Sequence, residues 1–493
     1  MKLRTTFFVS LVTSALLSSV ACTSQSEEVD SARQPNILFL FADDQRADTI
    51  GAWGNQHIKT PHLDALVEKG FSVVSNYNLG ANGGAVCVPS RARVNSGLSF
   101  FRVQNDLSGT RLLPELLGEN GYSTFATGKW HNQEESWLRG FQHGKNIFFG
   151  GMSDHTKVPL VDLSADGTLV NERSGDGFSS EMFADAAIEF LESYKEDKPF
   201  YAYVAFTAPH DPRQPPQNYR DMYYSWRPPL PENFMPQHPF QLGKWLTIRD
   251  EVLAGWPRTQ QVISDQLAEY YGLITHLDTQ IGRILETLGN SEHAENTIVI
   301  YAADHGLAVG SHGLLGKQSV YEHSQKCPLI FAGPGIPNGE SSALTYLLDI
   351  FPTVMSLTGI GAPEKLDGDD LTAIWKGEKI SVRDSLFLAF TDQMRSIRDD
   401  RYKLIYYPQV NYRQLFDLEQ DPYELKNLAN ESGQSERLEQ MTVLLKEWQI
   451  DLGDTQPLEV DQPLPMEVDL TGHERQPDRW QPAWIVEKYF GEQ

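Results

Sequence analysis

The sequence predicts an α/β fold: a central, mostly parallel sheet flanked by helices, followed by a smaller C-terminal α+β subdomain built on an antiparallel sheet. Three observations predict it. Continuous apolar runs at residues 37–42, 200–206 and 297–303 suit strands buried on both faces, as in a parallel sheet. Between the last two runs, Leu267, Tyr270, Ile274, Leu277, Ile281, Ile284 and Leu288 recur every three or four residues, the period of an amphipathic crossover helix. Residues 385–407 and 415–418 alternate instead, as antiparallel strands do.

At the N-terminus, Lys2 and Arg4 precede an apolar run over residues 7–20, too short for a membrane span, and the small pair Val20-Ala21 leads into Cys22. A cysteine at that place, followed by the polar stretch 23–33, resembles a bacterial lipoprotein signal, with Ser19 standing where leucine is usual. The expectation is a signal peptide at 1–21, a lipidated tether at 22–33, and export as a bacterial membrane-anchored lipoprotein of the periplasm or cell surface. The membrane then enters only through a lipid anchor at Cys22.

At 493 residues and 40% hydrophobic, the chain can bury one large core and a smaller second unit. We place the main domain at 34–379 and the C-terminal subdomain with its wrapping tail at 380–493. Acidic residues outnumber basic ones 66 to 41, and a formal charge of -25 repels a phosphate backbone, so no nucleic acid is expected as a partner. A site for an anion must then concentrate its positive charge locally, with Lys, Arg or a metal. Apart from Cys22, only Cys87 and Cys327 remain, too few for a disulfide scaffold.

Each predicted buried strand stops on polar residues: Asp43-Asp44 after the first, Thr207-Ala208-Pro209-His210 after the second, Asp304-His305-Gly306 after the third. In open α/β sheets ligands bind beyond the carboxyl ends of the strands, so these ends point to one crevice. Residues 211–258 are rich in Pro and in aromatics, among them Tyr219, Tyr223, Tyr224, Trp226, Trp245 and Trp256. The stretch reads either as a surface excursion or as a lid or binding loop whose aromatics suit sugars. The tail from residue 456, with Trp480 and Trp484, reads as a strap over the surface. Arg46 and Arg213 flank the motifs and read either as substrate contacts or, in preference, as solvated surface charges.

Cys87 follows Gly83-Gly84 and precedes Arg91 by four residues. Alone, it reads either as a nucleophile at a helix N-terminus or as a buried thiol of no consequence. The segment Cys87-Val88-Pro89-Ser90-Arg91, however, resembles the C-x-P-S-R signature of the type I sulfatases, a formylglycine-dependent family with an alkaline-phosphatase-like fold. The similarity continues in chain order through residues 36–44, Gly128-Lys129-Trp130-His131, Ala208-Pro209-His210, and Asp304-His305-Gly306 with Gly313 and Lys317. It extends to Asp349-Ile350-Phe351-Pro352-Thr353 and to Asp421-Pro422-Tyr423-Glu424 with Asn427-Leu428.

The resemblance implies a hydrolase that removes sulfate from a sulfated carbohydrate, of the bacterial polysaccharide type, with residues 34–379 as its catalytic domain. It implies that a formylglycine-generating enzyme oxidises Cys87 to formylglycine. It also implies that calcium, rather than magnesium, is held by Asp43, Asp44, Asp304 and His305 together with the converted Cys87; hard oxygen ligands favour either ion over zinc. One hydroxyl of the hydrated aldehyde attacks sulfur, kept anionic by Lys129 and held in place by Arg91, while Lys317 contacts the sulfate oxygens and His210 protonates the leaving oxygen. His131 then deprotonates the second hydroxyl and sulfate departs by C–O cleavage. His143, His312 and His323 have no support beyond proximity to the motifs and are left out of the site. A formylglycine-dependent phosphonate monoester or phosphodiester hydrolase is the runner-up; a plain phosphatase would carry Ser or Thr at position 87. A lipid-anchored glycan-binding protein on an inactive scaffold predicts the loss of Cys87, Arg91, Asp304 or Lys317, and all are present.

Overall fold

The structure, a computed structural model, describes residues 34–491. The signal peptide and lipidated tether expected at 1–33 lie outside the described residues, and no helix among those described is long and apolar enough to cross a membrane.

The apolar runs form the strands Asn36–Ala42, Phe200–Ala205 and Thr297–Ala303, each buried along its whole length. They occupy the middle of a ten-stranded sheet. From edge to edge its order is Gly339–Ser341, Phe71–Val73, Leu329–Ala332, Thr297–Ala303, Asn36–Ala42, Phe200–Ala205, Ser123–Lys129, His143–Phe148, Pro159–Leu163 and Leu169–Ser174. The strands from Thr297–Ala303 to His143–Phe148 are mutually parallel. Antiparallel neighbours begin on either side of them, at Leu329–Ala332 and at Pro159–Leu163.

A sheet buried on both faces needs helical cover. The crossover helix spans Gln260–Gly289 and is capped by Thr259, whose hydroxyl accepts from the Val262 amide at 3.2 Å. It packs against the helices Pro61–Lys69, Ser179–Ser193 and Gln217–Ser225. Leu277, Ile281, Ile284 and Leu288 enter the main core, while Ile263, Leu267, Tyr270 and Ile274 enter a smaller one with Tyr223 and Leu307.

The alternating segment forms the antiparallel strands Leu386–Phe390, Met394–Arg398, Tyr402–Tyr407 and Tyr412–Asp417. A fifth strand comes from far upstream: Gly80–Ala81 adds parallel to Leu386–Phe390. Gly80 has φ 108°, and a Cβ there would sit 1.8 Å from the Ala389 carbonyl oxygen, so the approach requires glycine. The second core accordingly mixes Tyr77, Leu79, Phe240, Trp245 and Tyr321 with Phe387, Phe390, Ile405 and Leu415.

The aromatic stretch 211–258 is mostly not on display. Tyr223, Trp245 and Trp256 are buried, Tyr219 and Tyr224 are half-buried, and of the six only Trp226 is well exposed. Trp245 packs edge-on to Phe390 with ring centroids 4.9 Å apart, so it belongs to the seam beneath the C-terminal sheet. Two charges also depart from expectation. Arg213 is buried and donates to Gln266, and Arg46 is half-buried, donating to the carbonyls of Leu307 (3.1 Å) and Ala308 (2.9 Å). Neither is a solvated charge.

The seam also buries His238, whose Nδ1 lies 2.8 Å from the Phe240 carbonyl oxygen. Burial pushes its pKa down to about 4. An unfolded imidazole titrates near about 6.5, so between those values the unfolded state binds more protons and stability falls as pH falls. We expect the melting temperature to drop from pH 7 to pH 5, with His238 contributing on the order of 2 kcal/mol at pH 5. The variant His238→Asn should flatten that slope, and an unchanged slope would assign the acid sensitivity to other groups.

Candidate active site

Adjacent parallel strands deliver polar groups at their carboxyl ends. Asp304 and His305 follow Thr297–Ala303, Asp43 and Asp44 follow Asn36–Ala42, His210 lies just beyond Phe200–Ala205, and Lys129 ends Ser123–Lys129. Cys87 arrives separately, as the first residue of the helix Cys87–Ser96, of which every residue but Val88 is buried. That helix is tied to the strand ends by its own side chains. Ser90 Oγ donates to the Asp304 carbonyl at 2.7 Å, and Arg91 Nη1 donates to the Lys129 carbonyl at 2.7 Å. The same guanidinium lies 3.4 Å from both Asp43 and Asp304, and 5.0 Å above the Phe41 ring.

Around the Cys87 sulfur, His305 Nε2 is at 3.3 Å, Lys317 Nζ at 3.4 Å and Asp44 Oδ1 at 3.8 Å. Lys317 Nζ is also 2.9 Å from each Asp44 oxygen and 2.9 Å from His210 Nε2. Lys129 Nζ pairs with Asp43 at 2.5 Å. Asp304 Oδ1 accepts from the Asp44 amide at 3.0 Å, and His305 Nε2 is 3.2 Å from Asp44 Oδ1. His131 borders this cluster, close enough for the charges of Lys129, Arg91 and Lys317 to act on its ring. It is half-buried, its Nδ1 has no hydrogen-bond partner, and its ring rests against Gly151, where a Cβ would lie 2.7 Å from Nε2.

Two of these residues hold backbone conformations that are uncommon outside glycine: Asp44 has φ 67° and His131 φ 73°. Asp44 is pinned by the Tyr270 hydroxyl, which donates to its carbonyl at 2.5 Å and accepts from the Arg46 amide at 3.0 Å. Lys129 is set by a register shift between Ala126 and Gly128, with Gly128 at φ 88° and so close to its neighbour that a Cβ would lie 1.8 Å from the Ala205 carbonyl oxygen. We expect Gly128→Ala to destabilise the protein by about 2–4 kcal/mol and to displace Lys129. Denaturant unfolding measures the first effect, and the residual activity of the folded fraction measures the second.

Burial dominates the electrostatics. It raises Asp44 well above the usual carboxylate range; Lys317 and Lys129 oppose this, and the charges of Asp43 and Asp304 add to it. It pushes the Cys87 thiol up. Burial, with the positive charge of Lys317, keeps His210 and His305 neutral, and burial with Lys129 and Arg91 does the same for His131. His305 Nδ1 lies 2.9 Å from the Gly306 carbonyl oxygen, which assigns the proton there and leaves Nε2 a free lone pair aimed at Cys87 and Asp44.

This donor set fits a divalent cation. Asp43, Cys87 and Asp304 place ligand atoms within 4.8 Å of one another, as do Asp44, Cys87 and His305. Asp304 Oδ2 is buried without a hydrogen-bond partner, with the Arg91 Nε at 3.4 Å. Carboxylates gathered out of water need compensating charge, and an oxygen-rich set suits a hard ion.

Sequence reasoning missed several supports. The carboxylate of Asp211 lies 3.3 Å from His210 Nδ1 and is held by Arg249 and Gln481. Its place directly after His210 was the available signal. Glu251 accepts from the amides of Leu315 and Gly316 at 2.8–3.0 Å and so fixes the loop that ends in Lys317. Gln318 ties that loop to the Gly84 carbonyl (2.9 Å) and to Asp250 (2.6 Å). Nothing in a Pro-rich stretch announces which distant loop it will brace.

Comparison with known proteins gives these contacts a setting. The sulfatase family model matches residues 35–360, and that of the N-sulphoglucosamine sulphohydrolase C-terminal region matches residues 310–451. The chain is 28% identical to an arylsulfatase of Clostridium perfringens, over 84% of this chain and 94% of the relative. It is 25% identical to an N-acetylglucosamine-6-O-sulfatase of Bacteroides thetaiotaomicron, over 90% and 91%. In fold it is similar to a protein solved with its substrate D-glucosamine-2-N,6-O-disulfate, at TM-score 0.73 and 22% identity, covering 86% of this chain and 99% of the other. It is also similar in fold to the phosphonate monoester hydrolase of Agrobacterium radiobacter, at TM-score 0.67 and 22% identity, covering 85% and 96%. The family match runs from the first buried strand past the lysine loop, so the strand-end cluster is the work of a recognised lineage: the chain belongs to the sulfatase family and is a sulfuric ester hydrolase.

Proposed function

We propose that the protein removes sulfate from a sulfated carbohydrate, a polysaccharide or its oligosaccharides, using a formylglycine hydrate at position 87 and a calcium ion. The observation that carries this reading is the convergence of Lys317, His305 and Asp44 on the Cys87 sulfur within 3.8 Å, in a chain of this family. A buried thiol held un-ionised is a weak nucleophile, so residue 87 needs conversion before it can act. The Cys87 sulfur marks where the oxygens of the hydrated aldehyde would stand.

Calcium among Asp43, Asp44, Asp304 and His305 would supply positive charge to the sulfate oxygens and to the attacking hydroxyl. The chain's own cations act beside it. Lys129 and Lys317 concentrate charge on the sulfate within a protein of net charge -25, and Arg91 fixes the helix of residue 87 against the strand ends. One hydroxyl of residue 87, already deprotonated and held anionic beside Lys129, attacks sulfur; the S–O bond to the alcohol breaks, and the paired His210 and Lys317, 2.9 Å apart, carry a proton to the departing oxygen. His131, neutral and with an unpartnered nitrogen, takes the proton of the second hydroxyl, and breaking the C–O bond frees sulfate and restores the aldehyde.

The carbohydrate reading is supported by the glycan relatives and by the sugar disulfate bound to a protein of the same fold. Export as a lipoprotein anchored at Cys22, and maturation by a formylglycine-generating enzyme, complete the proposal. Mass analysis of the peptide holding residue 87 should find an aldehyde in active protein; a fully active sample with an intact thiol refutes it. The likeness to a phosphonate hydrolase favours a second reading, hydrolysis of phosphonate monoesters or phosphodiesters. Offering one alcohol as its sulfate and as its phosphate ester decides between them, and faster turnover of the phosphate ester overturns the first.

A further inference from the structure

The C-terminal tail returns to the active site. Asp478 accepts from Arg249 Nε (2.8 Å) and Nη2 (2.6 Å), and Gln481 Nε2 donates to Asp211 Oδ2 at 3.1 Å. Arg249 Nη1 donates to the other Asp211 oxygen at 2.6 Å, and Asp211 adjoins His210. The two tail residues between these anchors, Arg479 and Trp480, are therefore held in place rather than trailing. The Trp480 amide donates to Asp478 Oδ1 at 2.8 Å, and the Arg479 guanidinium lies 4.3 Å over the Trp480 ring. Arg479 is exposed and Trp480 half-buried.

Both line a cavity of about 470 Å³, whose lining also includes Phe149, Gly150 and Gly151 together with the carboxylates Glu134 and Glu172. Gly151 is the residue against which the His131 ring rests, so the cavity adjoins the rim of the site. Its size lies within the usual range for ligand sites, and an indole face beside a few hydrogen-bonding groups is the chemistry that takes a pyranose ring. The two glutamates accompany a single arginine, a balance that suits hydroxyl groups and not a second sulfate.

We propose that Arg479 and Trp480 form a subsite for an uncharged sugar ring next to the sulfated one, so that the enzyme takes a glycan chain in preference to a single sugar sulfate. This rests on the carbohydrate reading above. The aromatic that faces sugar is then Trp480 of the tail, whereas Tyr223, Trp245 and Trp256 of the 211–258 stretch are packed inside.

The test uses the full chain with residue 87 converted. It measures kcat/KM on 4-methylumbelliferyl sulfate and on a panel of sulfated monosaccharides, each paired with a tetrasaccharide carrying the same sulfated residue. Trp480→Ala should lower the tetrasaccharide-to-monosaccharide ratio by about tenfold or more, and Trp480→Phe, which keeps an aromatic face, should restore most of it. A ratio unchanged within about twofold in Trp480→Ala, or an equal fall in both variants, overturns the subsite alone. Turnover of the aryl sulfate with no glycan cleaved overturns the carbohydrate reading together with the subsite. Turnover of neither overturns the proposed function and everything resting on it.

Discussion

Cys87→Ala is expected to abolish sulfate release, with kcat lower by at least about 10⁴-fold, while the protein still folds. On the proposed mechanism residue 87 supplies both the attacking oxygen and the means of releasing sulfate, so no neighbouring group would replace it. The folding argument is local. The sulfur is 2% exposed and its contacts are the polar ends of His305, Lys317 and Asp44, so its loss opens only a small space beside charged groups. The helix that begins there remains tied down by Ser90 and Arg91. Sulfate release followed by ion chromatography, alongside thermal unfolding, measures both parts. A variant that keeps more than about one part in a hundred of the activity would remove residue 87 from the reaction.

Chelation is expected to have the next largest effect. If calcium is held as proposed, withdrawing it should lower activity by about 10³-fold and adding it back should restore activity, since it would be the largest source of positive charge at the sulfate. A readout independent of turnover accompanies it. An ion that binds the folded protein raises its stability, by about 2.7 kcal/mol at a hundred times the dissociation constant, so calcium should raise the melting temperature. Asp304→Asn should lose most of that rise, because the carboxylate accepts from the Asp44 amide, faces Arg91 and carries an unpartnered oxygen. If calcium leaves the melting temperature of the native chain unmoved, the buried carboxylates serve some other purpose.

The strands that carry the aspartates were legible because a run such as residues 37–42 has one physical reading when charge follows it directly: an interior strand whose end opens to a ligand. The crossover helix was legible for a related reason, since thirty residues of one period leave little choice. Lys129 and Lys317 were found only through motifs, for no period marks them, whereas His210 was also reached as the polar end of a buried strand. Where legibility failed, the deciding contact was remote in sequence. Trp245 looked like a display aromatic and is a core residue, because its partner Phe390 lies far along the chain. Gly80 and Ala81 are too few to read as a strand, yet they complete the C-terminal sheet. Arg249 carried no signal at all, because its partner Asp478 lies far along the chain in the tail.

That borrowed pair of residues bears on how the enzyme comes to life. The loop leading to Cys87 is stitched to a strand, Leu386–Phe390, that leaves the ribosome much later. In the finished fold residue 87 is 2% exposed. On the proposed formylglycine chemistry, conversion is then a task for the nascent or translocating polypeptide, and a maturing enzyme added to the finished fold should fail to rescue unconverted protein.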